Sequence, residues 1–417
     1  MKSLASFSWE IYMSYLLMAL MLSFSLPMQL QTLIVGVWVV SMAIVAWQQK
    51  ISITRKEGIT LFFFTGSFLL YVAMYARTPV ANYGYIHFLL ERKVSLLLFP
   101  LPTLITMRYY KNEFFKKLIW FPVGVTAKFL FTHMLFLFHE KASLIFQSHV
   151  AYRDTFNEVA GIHPTYFGMY LVFAILILQY GHVNNFFKND IWRRVWQMTL
   201  LIFLVLLSPK SPMLALALIA IIDLLWWSQM KLGKKVGLIS GAIIFFIIAW
   251  WQLPMFHDRV QEVFEYARLK GSVHGGTSME MRQLIFQTDM VLLKENWLSG
   301  LGPFALEEKM NQAFYLFSLM HQQSFGFYNT HNEYINQWLC FGVVGILYFM
   351  ALLGMHGIRA FRTRNYLYIC SILLLVICFM TENILSRQHG VLFFALFMCV
   401  FYFQKDPSDT SVSASSN

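Results

Sequence analysis

Apolar blocks follow one another along almost the whole chain, and this constrains the fold more than any other feature. Segments such as "LIVGVWVVSMAIVAW" (33–47) and "LVFAILIL" (171–178) carry no charge and do not alternate as half-buried strands would. Only 13% of residues are charged and 58% are hydrophobic, where a soluble domain carries roughly 25% charged residues. The blocks therefore read as transmembrane helices. The expected fold is an all-α polytopic membrane protein with about twelve transmembrane helices. They fall near 11–27, 30–47, 59–76, 93–107, 118–138, 164–180, 195–208, 211–227, 237–253, 332–354, 366–381 and 388–404. Nine spans would occupy 1–253 and three 332–404, with a large helical loop at 254–331 and a Ser-rich, disordered tail at 405–417. The first block follows a single Lys2 without a small-residue cleavage site, and so reads as a span and not as a signal peptide.

The formal charge of +11 is distributed by side. Loops after the even-numbered spans hold Lys50, Arg55 and Lys56; Arg108, Lys111, Lys116 and Lys117; Lys188, Arg193 and Arg194; Lys231, Lys234 and Lys235; and Arg359, Arg362 and Arg364. Short basic loops stay in the cytoplasm, so both termini are expected inside. The charge then reflects loop asymmetry and not a nucleic-acid partner. The longer connections, 77–92, 139–163 and 254–331, face away from the cytoplasm and hold most of the acidic residues. Chemistry sits most often on such loops. A site on that side argues against ATP or nucleotide sugars as substrates, and no phosphate-cradling glycine motif is present. Cys340, Cys370, Cys378 and Cys399 all lie inside apolar blocks without metal-ligand or disulfide spacing.

Within the large loop, 257–270 reads as an amphipathic helix, with Val260, Val263, Phe264 and Ala267 on one side. Gly271, Gly275 and Gly276 break the chain, and Thr277 with Glu280 has the spacing of a capping box. Arg282 then falls near a helix N-terminus, where an arginine suits a phosphate. An interfacial arginine meeting water fits the same pattern. "NWLSGLGP" (296–303) ends that helix.

The stretch "THNEYINQWLCFGVVG" (330–345) opens the tenth span with polar residues. Thr330 and Glu333 repeat the capping-box spacing, which would start the helix at His331. A histidine at a helix N-terminus is disfavoured as the cation and kept neutral, as a general base requires. At helical spacing His331, Trp338, Gly342 and Gly345 share a narrow sector, and the glycines would admit a neighbouring helix. A capping histidine with packing glycines accounts for the same residues equally well.

Other polar groups lie near span ends. Lys210 sits between two prolines in "SPKSP" (208–212), as a snorkelling anchor or a positioned cation. His163 and Tyr166 stand at the start of the sixth span, Glu382 and Arg387 between the last two as an expected ion pair, and Lys128 inside the fifth. Lys210, Arg282 and Arg387 near one base, His331, without a metal set, suit a substrate that carries phosphates.

His331-Asn332, nine residues, then Gly342-Val343-Val344-Gly345 resembles the signature of the O-antigen ligase superfamily, which includes O-antigen polymerases and protein O-oligosaccharyltransferases. The twelve spans and the large loop before the motif extend the resemblance over nearly the whole chain. It implies a metal- and ATP-independent inverting glycosyltransferase of the C-type class, working without a cofactor on the periplasmic face of the bacterial inner membrane. The glycan would pass from undecaprenyl diphosphate to lipid A–core. His331 matches the family's candidate base and Arg282 one phosphate-binding arginine, with Asn332, Arg387, His163 and Tyr166 as further substrate contacts. Lys210 stands where the family has a second arginine, keeping the charge and losing the bidentate fork. Ile346 also departs from the pattern. A polymerase or a protein glycosylase of the same superfamily is the nearest alternative. A lipid-linked glycan transporter would call for internal repeats and broken helices near the midplane, and none is apparent in the sequence.

Overall fold

The computed structural model describes residues 9–138, 149–181, 186–187, 189–227, 278–321, 326 and 328–404, with single positions at 233, 237, 240, 241, 244 and 247. Among them every regular element is a helix. Most of the ninth expected span, the expected 257–270 helix, the glycines that follow it, Thr277 and the tail lie outside the described residues.

The helices are α1 (Trp9–Ser23), α2 (Met28–Gln48), α3 (Arg55–Ala73), α4 (Tyr83–Leu98), α5 (Pro100–Tyr109), α6 (Lys111–Lys117), α7 (Trp120–Phe138) and α8 (His149–Ala160). They continue as α9 (Pro164–Tyr180), α10 (Asp190–Leu207), α11 (Lys210–Ile222), α12 (Ser278–Asn296), α13 (Pro303–His321), α14 (Glu333–Thr363), α15 (Tyr366–Phe379) and α16 (Gln388–Phe403). Among the described residues, Met28–Gln48, Arg55–Arg77, Lys111–Phe138 and Glu333–Thr363 are long and apolar enough to cross a membrane. The pair Tyr152–Ala160 and Pro164–Tyr180, bent by 78°, makes a fifth if it counts as one span. Twelve spans are not reached by this measure among the described residues. The apolar helices α1, α15 and α16 are short, and Pro100 interrupts the fourth expected span between α4 and α5.

The chain divides into two compact units. One comprises Met1–Trp120, Ile285–Ile372 and Phe379–Asn417; the other comprises Phe121–Leu284 and Leu373–Cys378. Each is built around a helix that is apolar on every side, the pattern of an element enclosed by others. In the first unit this is α16, buried without interruption from Gly390 to Phe401 and packed on α4, α5 and α14. In the second it is α9, whose residues from Pro164 to Ala174 are all buried and which packs on α8, α10 and α11.

Candidate active site

The chain approaches α14 through a left-handed residue. His331 has φ +44°, its N–H donates to Asn329 Oδ1 at 3.0 Å, and the helix begins after it. The cap is Asn332, whose Oδ1 accepts from the Ile335 N–H at 3.1 Å and whose Nδ2 donates to the Met380 carbonyl at 3.3 Å. The expected Thr330–Glu333 capping box is therefore replaced. Asparagine is as good a cap as threonine, and this choice turns both expected partners to other work. Thr330 Oγ1 lies 3.0 Å from Asn383 Oδ1, and Glu333 points inward. Because His331 precedes the cap, it does not share a helical face with Gly342 and Gly345. A non-glycine residue in this backbone region is uncommon and costs energy, and such residues gather at functional sites.

His331 Nδ1 lies 3.1 Å from Glu382 Oε2, with the two side chains 27% and 11% exposed. An ionised carboxylate can only accept, so the ring hydrogen is placed on Nδ1 and Nε2 keeps its lone pair. This arrangement fixes ring orientation and tautomer and stabilises the cation that forms when Nε2 takes a proton. Glu382, expected to pair with Arg387, also reaches the histidine. Arg387 is exposed and stands at the N-terminal boundary of α16.

Beneath this pair, Glu333 is 0% and Lys93 2% exposed. Glu333 Oε2 accepts from the Leu385 N–H at 2.9 Å and Oε1 from Gln337 Nε2 at 2.7 Å. Lys93 Nζ donates to the Leu385 carbonyl at 2.5 Å and stands 4.2 Å from the centre of the Tyr71 ring. Lys93 was not expected here. "LLERKVSLLL" (89–98) looks like the charged start of a span at 93, whereas α4 begins at Tyr83 and buries Ile86, Lys93 and Leu96. The spacing Ile86–Lys93 is two helical turns, and this periodicity is the signal that points Lys93 inward.

Gly342 interrupts α14 with φ +67° and ψ −158°. The segment that comes close is a loop and not a neighbouring helix. The Leu298 carbonyl accepts from Val343 N–H at 3.1 Å, while Leu301 N–H donates to the Leu339 carbonyl at 2.7 Å and Gly302 N–H to Cys340 at 3.0 Å. In an unbroken helix Leu339 would serve Val343 itself, so the loop supplies the missing partners. A Cβ on Gly342 would overlap the Leu298 carbonyl, and one on Gly300 (φ +65°) the Gly342 nitrogen. Arg77 clasps the loop from outside, donating to the carbonyls of Ser299 at 2.5 Å and Gly300 at 3.0 Å, and Trp338 Nε1 donates to Trp297 at 2.8 Å. Gly345 is needed by the bend itself, because a Cβ there would overlap the Gln337 carbonyl and Phe341 Cβ of its own helix.

In the second unit, Ser208 turns left-handed (φ +46°) and Lys210 opens α11. Pro209 and Pro212 of this corner fit against Gly168 on α9, where a Cβ would overlap the Pro209 ring. The close fit holds the backbone at Lys210 in one place. His163 is the N-cap of α9, its Nδ1 accepting from Thr165 N–H at 3.3 Å, and Tyr166 is buried at 3% exposure with its ring 6.1 Å from that of His163. Arg282 is half-buried in the first turns of α12, beside buried Glu280 and Met281.

A helical chain with several membrane-length apolar elements is, as a class, a membrane protein, and this one carries a histidine–carboxylate pair at the mouth of a broken helix. Residues 197–350 match the family model described as O-Antigen ligase, which bears out the resemblance to the O-antigen ligase superfamily. That segment contains Lys210, Arg282, His331, Asn332, Gly342 and Gly345; Glu382, Lys93, His163, Tyr166 and Arg387 lie outside it. No curated protein matches the chain significantly.

Proposed function

We propose that this protein is an O-antigen ligase that moves a glycan from undecaprenyl diphosphate to a sugar of lipid A–core. The observation that carries the reading is the His331–Glu382 pair at the entrance of the helix bearing the family motif. His331 Nε2 takes the proton of an acceptor hydroxyl, and the freed oxygen attacks the anomeric carbon from the face opposite the diphosphate. The bond from that carbon to the diphosphate oxygen breaks with inversion, and undecaprenyl diphosphate leaves as the anion. Lys210 and Arg282 are the cations proposed to stabilise the charge growing on the diphosphate, a role otherwise served by metal ions. The proposed topology has twelve spans in the bacterial inner membrane with both termini in the cytoplasm. The 254–331 loop and the site then face the periplasm, in contact with membrane lipids.

Deleting the gene in its host tests the activity. Lipopolysaccharide with naked core and accumulated lipid-linked polymer is the expected result. Core bearing one repeat unit would make the protein a polymerase, and unchanged lipopolysaccharide with underglycosylated proteins would make it a protein O-oligosaccharyltransferase.

The two cations are tested by substitution. Lys210→Ala and Arg282→Ala are each expected to lower kcat/KM for the lipid diphosphate donor roughly 100-fold, the scale of removing one preorganised donor at a developing anion. KM for the acceptor should not change. Lys210→Arg should retain most of the activity. A loss confined to acceptor binding would refute the assignment.

A further inference from the structure

The turn between α15 and α16 carries Glu382, and four points along it are fastened to the entrance of α14. The Met380 carbonyl accepts from Asn332, Glu382 meets His331, Asn383 meets Thr330, and the Leu385 N–H donates to Glu333. The attachments of Asn332 and His331 lie at or near the surface, whereas Thr330 and Asn383 are buried. The fourth is enclosed, and Lys93 joins it from α4, so that both peptide groups of Leu385 are held by side chains of opposite charge. The N–H points at a carboxylate and the carbonyl at an ammonium, each the favourable sense of a charge-assisted bond.

This arrangement is costly. A buried lysine and glutamate lose their hydration, and a pair of apolar residues of similar volume commonly gives equal or greater stability. What the charged pair adds over such a replacement is position. Two residues separate Leu385 from Glu382, with Ile384 N–H bonded to the Glu382 carbonyl at 3.0 Å and Ser386 N–H to the Asn383 carbonyl at 3.0 Å. A shift of Leu385 therefore moves the Glu382 backbone with it. The Tyr71 ring beneath Lys93 Nζ attracts the ammonium and limits where it can go.

We propose that Lys93 and Glu333 are positioning residues. By gripping the peptide groups of Leu385 they set the turn that brings the Glu382 carboxylate to His331 Nδ1. The inference rests on the reading of His331 as the base.

The test uses the full chain in lipid nanodiscs, with an undecaprenyl diphosphate-linked glycan as donor and lipid A–core as acceptor. Lys93→Met is expected to lower kcat about 10- to 100-fold, the effect of displacing a catalytic group by an ångström or less. KM for the donor should stay as in the parent. In a Glu382→Gln background the same change should cost little more, because the carboxylate it positions is already lost. Losses that multiply, a loss carried by KM, or unchanged kcat would each overturn the proposal. If Lys93→Met is recovered aggregated, Glu333→Gln takes its place, since an amide offers a single acceptor oxygen to the two donors that Glu333 serves, Leu385 N–H and Gln337 Nε2, and the charge is gone. It should lower kcat in the parent and not in the Glu382→Gln background, and unchanged kcat or multiplied losses overturn the proposal equally. His331→Ala run beside these variants separates the two ideas. Transfer retained by His331→Ala refutes the base itself, whereas an inactive His331→Ala with multiplying losses refutes only the positioning.

Discussion

Replacing His331 by alanine is expected to lower glycan transfer roughly 10²- to 10⁴-fold, the contribution of a placed general base. The protein should still enter the membrane and remain monodisperse after extraction, because the side chain is part-exposed and precedes the helix it introduces. The left-handed backbone at this position complicates the substitution, since alanine is strained at φ +44°. Glycine is not. His331→Gly removes the ring without that strain and should be as inactive as His331→Ala. Transfer by either variant at the parent rate would sink the assignment. Activity in the glycine variant alone would place the loss in the backbone and not in the ring.

The second large effect is expected at Gly342. Alanine there meets two obstacles, a backbone conformation that costs about 1–3 kcal/mol for a residue with a side chain and direct overlap with the Leu298 carbonyl. Neither is relieved by rotating a side chain, so the loop must leave the break or the helix must straighten. If the loop leaves, the carbonyls of Leu339 and Cys340 and the N–H of Val343 lose their partners; if the helix straightens, the N–H groups of Leu301 and Gly302 and the Leu298 carbonyl lose theirs, and an unpaired buried group costs about 1–3 kcal/mol. Gly342→Ala should therefore lower the melting temperature of the extracted protein and reduce transfer. Gly354 and Gly357, on the same helix with open space around them, are the controls. Alanine at these positions should be neutral or stabilise by up to about 1 kcal/mol through helix propensity. Equal melting of Gly342→Ala and Gly354→Ala would show that the break has no energetic role.

The helices themselves were largely legible in the sequence, and the reasons are local. The expected span 164–180 coincides with α9 because Pro164 can only begin a helix and the apolar run ends at Gly181. Likewise 388–404 and 366–381 lie within two residues of α16 and α15. His331, Gly342 and Gly345 could be singled out by their spacing. What they do depends on chain segments that spacing does not reveal. Glu382 lies 51 residues from His331, and opposite charge within its own loop pointed to Arg387 first. Lys93 looked like the edge of a span because charge usually marks water, and only burial across α4 shows the other face. Gly-x-x-Gly in an apolar run describes two close helices as well as it describes a break. The difference lies in "NWLSGLGP", whose glycines looked like the end of one helix and serve the interior of another.

Connections between helices ordinarily tolerate added residues, because lengthening a free loop costs little entropy. Residues 297–302 do not form such a connection. Their peptide groups occupy places in the hydrogen-bond ladder of α14, so the distance from the end of α12 to the start of α13 is counted in rungs of a helix elsewhere in the chain. One residue more or fewer would put the wrong peptide opposite Leu339, Cys340 and Val343. This short stretch therefore obeys the register rules of regular secondary structure while belonging to none, and its length is as constrained as its glycines.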